Sequence, residues 1–184
     1  MSELGRSTSC CEICGQLAWS VAYRGEIRDG SFPHILENAL VLLCSGCGVE
    51  RLSEEFCISS SAYETIEYRN KLQQDLDLEA FAHIHDELQM HTLKTIWPTS
   101  LRAKTVVDIG CGGGSLLDHL RGITAHQIGV EPFKVYRDDL RRRGYTTYEY
   151  AGDAVIDWAG RVDLAFSMQV IEHTESPKSF LEEI

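Results

Sequence analysis

The segment from Thr105 to Arg121 constrains this chain more than any other. Thr105-Val106-Val107-Asp108-Ile109 is a short β-branched run that ends at Gly110-Cys111-Gly112-Gly113-Gly114. Ser115 to Arg121 then reads as a helix. Strand, glycine loop and helix in that order open a βαβ unit, and so predict an α/β fold with a parallel sheet. The glycines let backbone come close to a ligand, and the helix N-terminus behind them favours negative charge. A second strand, His126 to Val130, ends in Glu131, 21 residues after Gly110. An acid at that place accepts hydrogen bonds from two ribose hydroxyls. The spacing Asp108-x-Gly110-x-Gly112-x-Gly114 departs from the G-x-G-x-x-G of dinucleotide loops. A ribose ligand without a pyrophosphate therefore fits better than NAD.

The cysteines define a second region. They are Cys10, Cys11, Cys14, Cys44, Cys47, Cys57 and Cys111, an odd number that argues against a disulfide framework. Cys11-Glu12-Ile13-Cys14-Gly15 and Cys44-Ser45-Gly46-Cys47-Gly48 are two C-x-x-C-G knuckles. Two such knuckles supply four thiolates, the closed shell of a structural zinc, with Cys11, Cys14, Cys44 and Cys47 as ligands. Iron in a rubredoxin-like site is the minor alternative. Cys10 is an alternative to Cys11, but only Cys11 has the right spacing to Cys14. The 29-residue spacer reads as strands and turns: Leu17 to Tyr23 alternates, Arg28-Asp29-Gly30 is a turn, and Ala39 to Leu43 is an apolar strand. Metal would compensate for the small core that residues 1–58 can build.

Residues 59–99 form a helical linker expected to pack on the domain that follows. Ser61 and Glu64 have the spacing of a capping box. Tyr63, Ile66, Leu72, Leu76, Phe81, Ile84, Leu88, Leu93, Ile96 and Trp97 follow helical spacing. They predict two helices, or one broken near residues 74–80, ending before Pro98. His83, His85 and His91 do not have the i, i+4 spacing of a ligand pair. Tyr63 and Tyr68 read as helix-face packing, with a lid over a ligand as the sharper alternative.

Val107-Asp108-Ile109-Gly110-Cys111-Gly112-Gly113-Gly114 resembles the first motif of class I S-adenosylmethionine-dependent methyltransferases. The resemblance places the methionine part of the cofactor over Asp108, Gly110, Cys111, Gly112 and Gly114, and its ribose at Glu131 and Pro132. Gly152-Asp153-Ala154, after a third strand around Tyr145 to Tyr150, resembles the element that meets the adenine, with Asp153 and Ala154 as contacts. Val162 to Ser167 reads as a fourth strand leading into Met168-Gln169-Val170-Ile171-Glu172-His173, which resembles the family's post-strand motif. Gln169 is then a cofactor contact. His173 is a candidate base and Glu172 its orienting partner, with pocket lining as the other reading of both. Cys111 reads as a small filler against the cofactor. The implied architecture is an incomplete Rossmann-like sheet over residues 100–184, preceded by a small β-rich zinc-ribbon-like domain. The family's sheet has seven strands, so a chain stopping at Phe180-Leu181-Glu182-Glu183-Ile184 reads as truncated.

The implied activity is methyl transfer to a small-molecule biosynthetic intermediate. The order of four-cysteine domain, helical linker and cofactor domain also resembles bacterial methyltransferases with an N-terminal zinc-binding domain, some of which methylate nucleotide-linked sugars, and so implies a nucleotide-linked sugar as one substrate. A ribosomal RNA methyltransferase with a zinc finger, and a non-catalytic cofactor- and zinc-binding interaction module, are the alternatives. The formal charge of -11, from 17 basic and 28 acidic residues, disfavours nucleic acid as a partner. So do residues 1–60, with four Arg, no Lys and eight acids. No apolar run reaches the roughly 18 residues of a membrane span. The polar stretch Met1 to Cys11 lacks the core of a secretory leader, so the cytoplasm is the expected compartment.

Overall fold

The computed structural model describes residues 9–28, 34–71, 78–96 and 100–184. The chain divides after Ala62 into two units. The first carries an antiparallel sheet in the order β1 (Trp19–Arg28), β2 (Ile35–Cys44), β3 (Glu50–Leu52). β2 is central, and Ala39, Leu40, Leu42 and Cys44 on it are buried. β1 pairs Trp19 with Cys44 and Arg28 with Ile35, with register shifts between Val21 and Tyr23 and between Gly25 and Ile27. Such irregularities break the two-residue period, which is why the alternation expected from Leu17 to Tyr23 gives way to a largely exposed strand. Of the expected turn, Asp29 and Gly30 lie outside the described residues.

The second unit opens with α1 (Ile66–Lys71) and α2 (Leu78–Ile96). The capping box expected at Ser61 and Glu64 does not form. Ser60–Glu64 is a single 3-10 turn, and the helix starts later, where the Tyr68 amide donates to Thr65 Oγ1 at 3.2 Å. The break expected near residues 74–80 falls largely on residues 72–77, outside the described set, and α2 resumes at Leu78. Trp97 and Pro98 are also outside it.

Four parallel strands follow: β4 (Thr105–Ile109), β5 (His126–Val130), β6 (Thr146–Tyr148) and β7 (Leu164–Ser167). Their order is β6-β5-β4-β7, so β6 and β7 are the edges. The intervening helices are α3 (Ser115–Leu120), α4 (Lys134–Arg142) and α5 (Ala151–Trp158), and α6 (Pro177–Glu183) follows β7. Every residue of β4 is buried, as expected of a parallel strand covered on both faces. Val106 packs with Leu93, Leu101, Leu116, Leu120 and Phe166, whereas Val107 and Ile109 pack with Ile128, Val130 and Ala154. Strand alternation thus splits the core into two layers. No helix among the described residues is long and apolar enough to cross a membrane.

Candidate functional site

The carboxyl ends of β4 and β5 lie side by side, with Asp108 opposite Gly129 and Ile109 opposite Val130. Here the chain turns through Gly110, Gly112 and Gly114, whose φ angles are +76°, +53° and +84°. Side chains rarely adopt those values, so the glycines are required by the backbone itself. Steric fit adds to this. A Cβ on Gly110 would lie 2.3 Å from Val170, which leans in from the loop after β7. A Cβ on Gly113 would lie 2.7 Å from the Phe81 ring of α2.

Glu131 is 2% exposed. Its Oε2 accepts the Gly112 amide at 2.8 Å and its Oε1 the Phe133 amide at 2.7 Å. Two amide donors favour the ionised carboxylate. A carboxylate oxygen has two lone pairs and can accept more than one donor. Asp108, 3% exposed, forms no hydrogen bond through its carboxylate among the described residues. Burial, and next the Glu131 charge, push its carboxyl up to about 7. The crevice therefore offers one fixed anion and one acid poised to ionise. Cys111 is buried against Gly129, and burial with both neighbouring acids raises its thiol, which suits a filler and not a nucleophile.

Arg137 is an organiser that the sequence reading missed. Its Nη1 donates to the carbonyls of Glu131 at 2.7 Å and Pro132 at 2.8 Å, and its Nη2 to Glu149 at 2.8 Å. It sits six residues beyond Glu131, on the inner face of α4, so a basic residue on an otherwise buried helical stripe was the available signal. Arg143 likewise donates to the Gly113 carbonyl and to Asp118 and Asp139. Phe81, also missed, joins Phe133 and Tyr136 beside the glycine loop.

The remaining candidates spread around the same strand ends. Asp153 is exposed in the first turn of α5, where one of its oxygens accepts the Tyr150 amide at 3.2 Å. Ala154 packs its methyl in the core beneath β4 and β5. Gln169 is exposed, with a left-handed φ of +56°. A non-glycine residue held in that region is a common mark of a functional loop. Glu172 is exposed, and His173 half-buried, in the 3-10 turn Ile171–His173. The His173 ring lies tilted against Tyr63, with ring centres 3.9 Å apart and planes at 35°, and Tyr63 itself meets Tyr68 edge-on at 4.7 Å. A separate cavity of about 240 Å³ lies under the sheet, lined by Val107, Ile109, Val130, Trp158, Val162 and Ile184.

In the first unit, the two knuckles repeat one backbone pattern. The Gly15 amide donates to the Cys11 carbonyl and the Gly48 amide to the Cys44 carbonyl. The Cys11 amide donates to Gln16 and the Cys44 amide to Val49. Gly15 and Gly48 have φ of +75° and +77°. Together the knuckles bring the sulfurs of Cys11, Cys14, Cys44 and Cys47 within 4.8 Å of one another. Cys11 lies 3.6 Å from Cys47, and Cys14 lies 3.5 Å from Cys44. Zinc–sulfur bonds of about 2.3 Å put tetrahedral sulfurs about 3.8 Å apart, so the donor set fits such an ion. Burial opposes the Cys44 thiolate, but amides of Gly46 and Cys47 outweigh it and bring that thiol down to about 7.

A parallel sheet whose first strand runs into a glycine loop, and whose second ends in a buried acid, defines a doubly wound, ligand-binding α/β domain. The chain belongs to the methyltransferase domain family, which it matches over residues 81–184. It is 31% identical over 91 residues to a ubiquinone biosynthesis O-methyltransferase of Methylobacterium nodulans, covering 46% of this chain and 36% of that protein. It is 29% identical over 116 residues to the protein of the same name from Erwinia tasmaniensis, covering 56% and 46%. The chain thus spans less than half the length of these relatives. Among solved structures, it resembles magnesium protoporphyrin IX methyltransferase from Synechocystis PCC 6803, solved with SAM bound. The TM-score is 0.50 at 13% identity, with 67% of each chain covered. At that identity, the likeness is one of fold.

Proposed function

We propose that this chain carries the cofactor-binding part of an S-adenosylmethionine-dependent methyltransferase that acts on an oxygen of a small-molecule biosynthetic intermediate. The observation that carries this reading is Glu131. It is a buried carboxylate at the end of β5, tied to the glycine loop through the Gly112 amide, at the place where an acid meets ribose hydroxyls in doubly wound folds. The names of the relatives support an oxygen acceptor in a biosynthetic intermediate, and nothing in them points to a nucleotide-linked sugar.

When bound, S-adenosylmethionine supplies a methyl group on a sulfonium; transfer breaks that S–C bond, forms an O–C bond and leaves the thioether. The chain's own residues bind and orient. Glu131 holds ribose hydroxyls, and the backbone of Gly110 to Gly114 accommodates the methionine part. Asp108 offers a carboxyl that ionises against a cationic amino group. Asp153 would meet the adenine amino group with its exposed carboxylate. His173, beyond β7, accepts the proton that an acceptor hydroxyl gives up, with Glu172 beside it. Proximity and orientation are the larger part of such a displacement.

The four cysteines hold a structural zinc in this reading. Four protein sulfurs close the shell and leave no position for a substrate. Calorimetric titration of S-adenosylmethionine and S-adenosylhomocysteine into the protein, with metal content measured on the same sample, tests both parts. Micromolar binding with about one zinc per chain supports them. No binding by a folded, zinc-loaded sample overturns the cofactor assignment.

A further inference from the structure

Arg137 occupies a place that costs the chain stability on two counts. It is 6% exposed, so its charge is held out of water. It also lies near the start of α4, whose first turn holds no acid. A cation there opposes the helix dipole. Three acceptors reached by its two outer nitrogens offset both. Nη2 donates to the Glu149 carboxylate at 2.8 Å, just beyond β6. Nη1 donates to the carbonyls of Glu131 at 2.7 Å and Pro132 at 2.8 Å, just beyond β5.

The Pro132–Phe133 peptide carries the consequence. A trans peptide unit is planar and points its C=O and its N–H in opposite directions. Here Arg137 Nη1 donates to the C=O, and the N–H donates to Glu131 Oε1 at 2.7 Å. The guanidinium and the Glu131 carboxylate therefore grip one rigid plane from its two sides. The Arg137 amide also donates to the Phe133 carbonyl at 3.1 Å, which fixes the base of the arginine against the same residues. Glu131 Oε2 in turn accepts the Gly112 amide at 2.8 Å. A chain of contacts thus runs from Glu149 through Arg137, the peptide and Glu131 to Gly112, and joins the exit of β6 to the glycine loop.

We propose that Arg137 is a positioning residue for the ribose of the cofactor. It acts through the Pro132–Phe133 peptide to aim the Glu131 carboxylate, and Glu149 anchors its guanidinium. Arg137 itself touches no ligand in this arrangement. The inference rests on the proposed cofactor for the identity of the ligand, whereas the aiming of Glu131 is a property of the chain alone.

Amide NMR of the ligand-free chain and titration with S-adenosylhomocysteine test it. Gly112 is the reporter, because it bonds to Glu131 and makes no hydrogen bond to Arg137. In Arg137→Gln the Gly112 amide proton moves upfield as its hydrogen bond to the carboxylate lengthens. S-adenosylhomocysteine binds about tenfold more weakly, the low end of what a hydrogen bond to a charged group is worth. Added to Glu131→Gln, the same change weakens binding less than about twofold, since the carboxylate it aims is already gone. Glu149→Ala, at a half-exposed side chain, gives the upfield shift in smaller measure. An unmoved Gly112 resonance in folded Arg137→Gln overturns the proposal. Where that variant does not fold, Glu149→Ala decides by the same criterion. A loss of affinity of equal size with and without Glu131→Gln also overturns it, because Arg137 would then act on the fold and not through Glu131. If the wild type binds no S-adenosylhomocysteine while Gly112 still moves, the cofactor reading fails and the coupling of Arg137 to Glu131 stands.

Discussion

The Glu131 carboxylate accepts the Gly112 amide at 2.8 Å, so the acid that ends β5 also holds the glycine loop in shape. Its other oxygen takes the Phe133 amide and fixes the entry to α4. Glu131→Gln keeps the size but sets an NH2 group against an amide donor. Hydrogen bonds to a charged group are worth about 1.5–3 kcal/mol, so the variant should bind S-adenosylhomocysteine at least about tenfold more weakly and melt lower. Titration and thermal unfolding of the same sample check both. Unchanged affinity with a lowered melting temperature would make Glu131 a structural tie only.

Asp108 predicts a pH dependence with a definite sign. Burial and the Glu131 charge raise its carboxyl from 3.8 to about 7 in the folded chain. Between about pH 4 and 7 the folded state holds a proton that the unfolded chain has lost, so stability falls as pH rises through that window and levels above it. The cost reaches about 4 kcal/mol at saturation, for a shift of about three units. Asp108→Asn carries no such charge. It should therefore gain on the wild type as pH rises from 4 to 8, measured by urea unfolding at several pH values. Parallel curves for the two proteins would show that Asp108 is ionised throughout.

What was legible in the sequence was what short-range patterns encode. Asp108 to Gly114, Glu131 after the next strand and the two C-x-x-C-G knuckles are local spacings, and each emerged at the residues expected. The alternation of β1 was not legible, because its register shifts depend on pairing with β2. The start of α1 misled for a local reason. Ser61 and Thr65 both suit a helix N-terminus, and the turn Ser60–Glu64 used the first without entering a helix. Long-range contacts left no periodic trace at all. Glu64 and Tyr150 are 86 residues apart, and nothing in the spacing of either announces the other. Phe81 read as one apolar helix position among many, although its ring fills the space beside Gly112 and Gly113.

Metal removal should separate the two units. Four thiolates gathered within 4.8 Å repel one another without a cation, and the sheet above them has few buried side chains. A strong chelator at neutral pH should unfold residues 9–62 while the parallel sheet stays folded. Amide exchange resolved by segment reads this directly: protection is lost on β1 and β2 and kept on β4 and β5. Retained protection on β2 after complete metal loss would show that the sheet stands without an ion. Cys44→Ser should resemble the chelated protein, since a serine hydroxyl is a poor substitute for a thiolate.

Gly113 and Phe81 should be energetically coupled. A Cβ on Gly113 would come 2.7 Å from Phe81 Cδ1, closer than real Cβ contacts allow, and Gly113 is not among the residues with positive φ. Gly113→Ala thus tests sterics without backbone strain. Overpacking at a buried contact costs about 1–3 kcal/mol. Phe81→Ala alone costs about 3–5 kcal/mol, because the ring is buried with Phe133 and Tyr136. The double variant should be less unstable than the sum of the two, by most of the Gly113→Ala penalty, since the added methyl enters space the ring has left. Denaturant unfolding of the four proteins gives the coupling, and contacting residues show about 0.5–3 kcal/mol. Simple additivity would mean that Phe81 can withdraw from the glycine loop at little cost. The Gly113 site would then be open to a ligand instead of being packed by the chain itself.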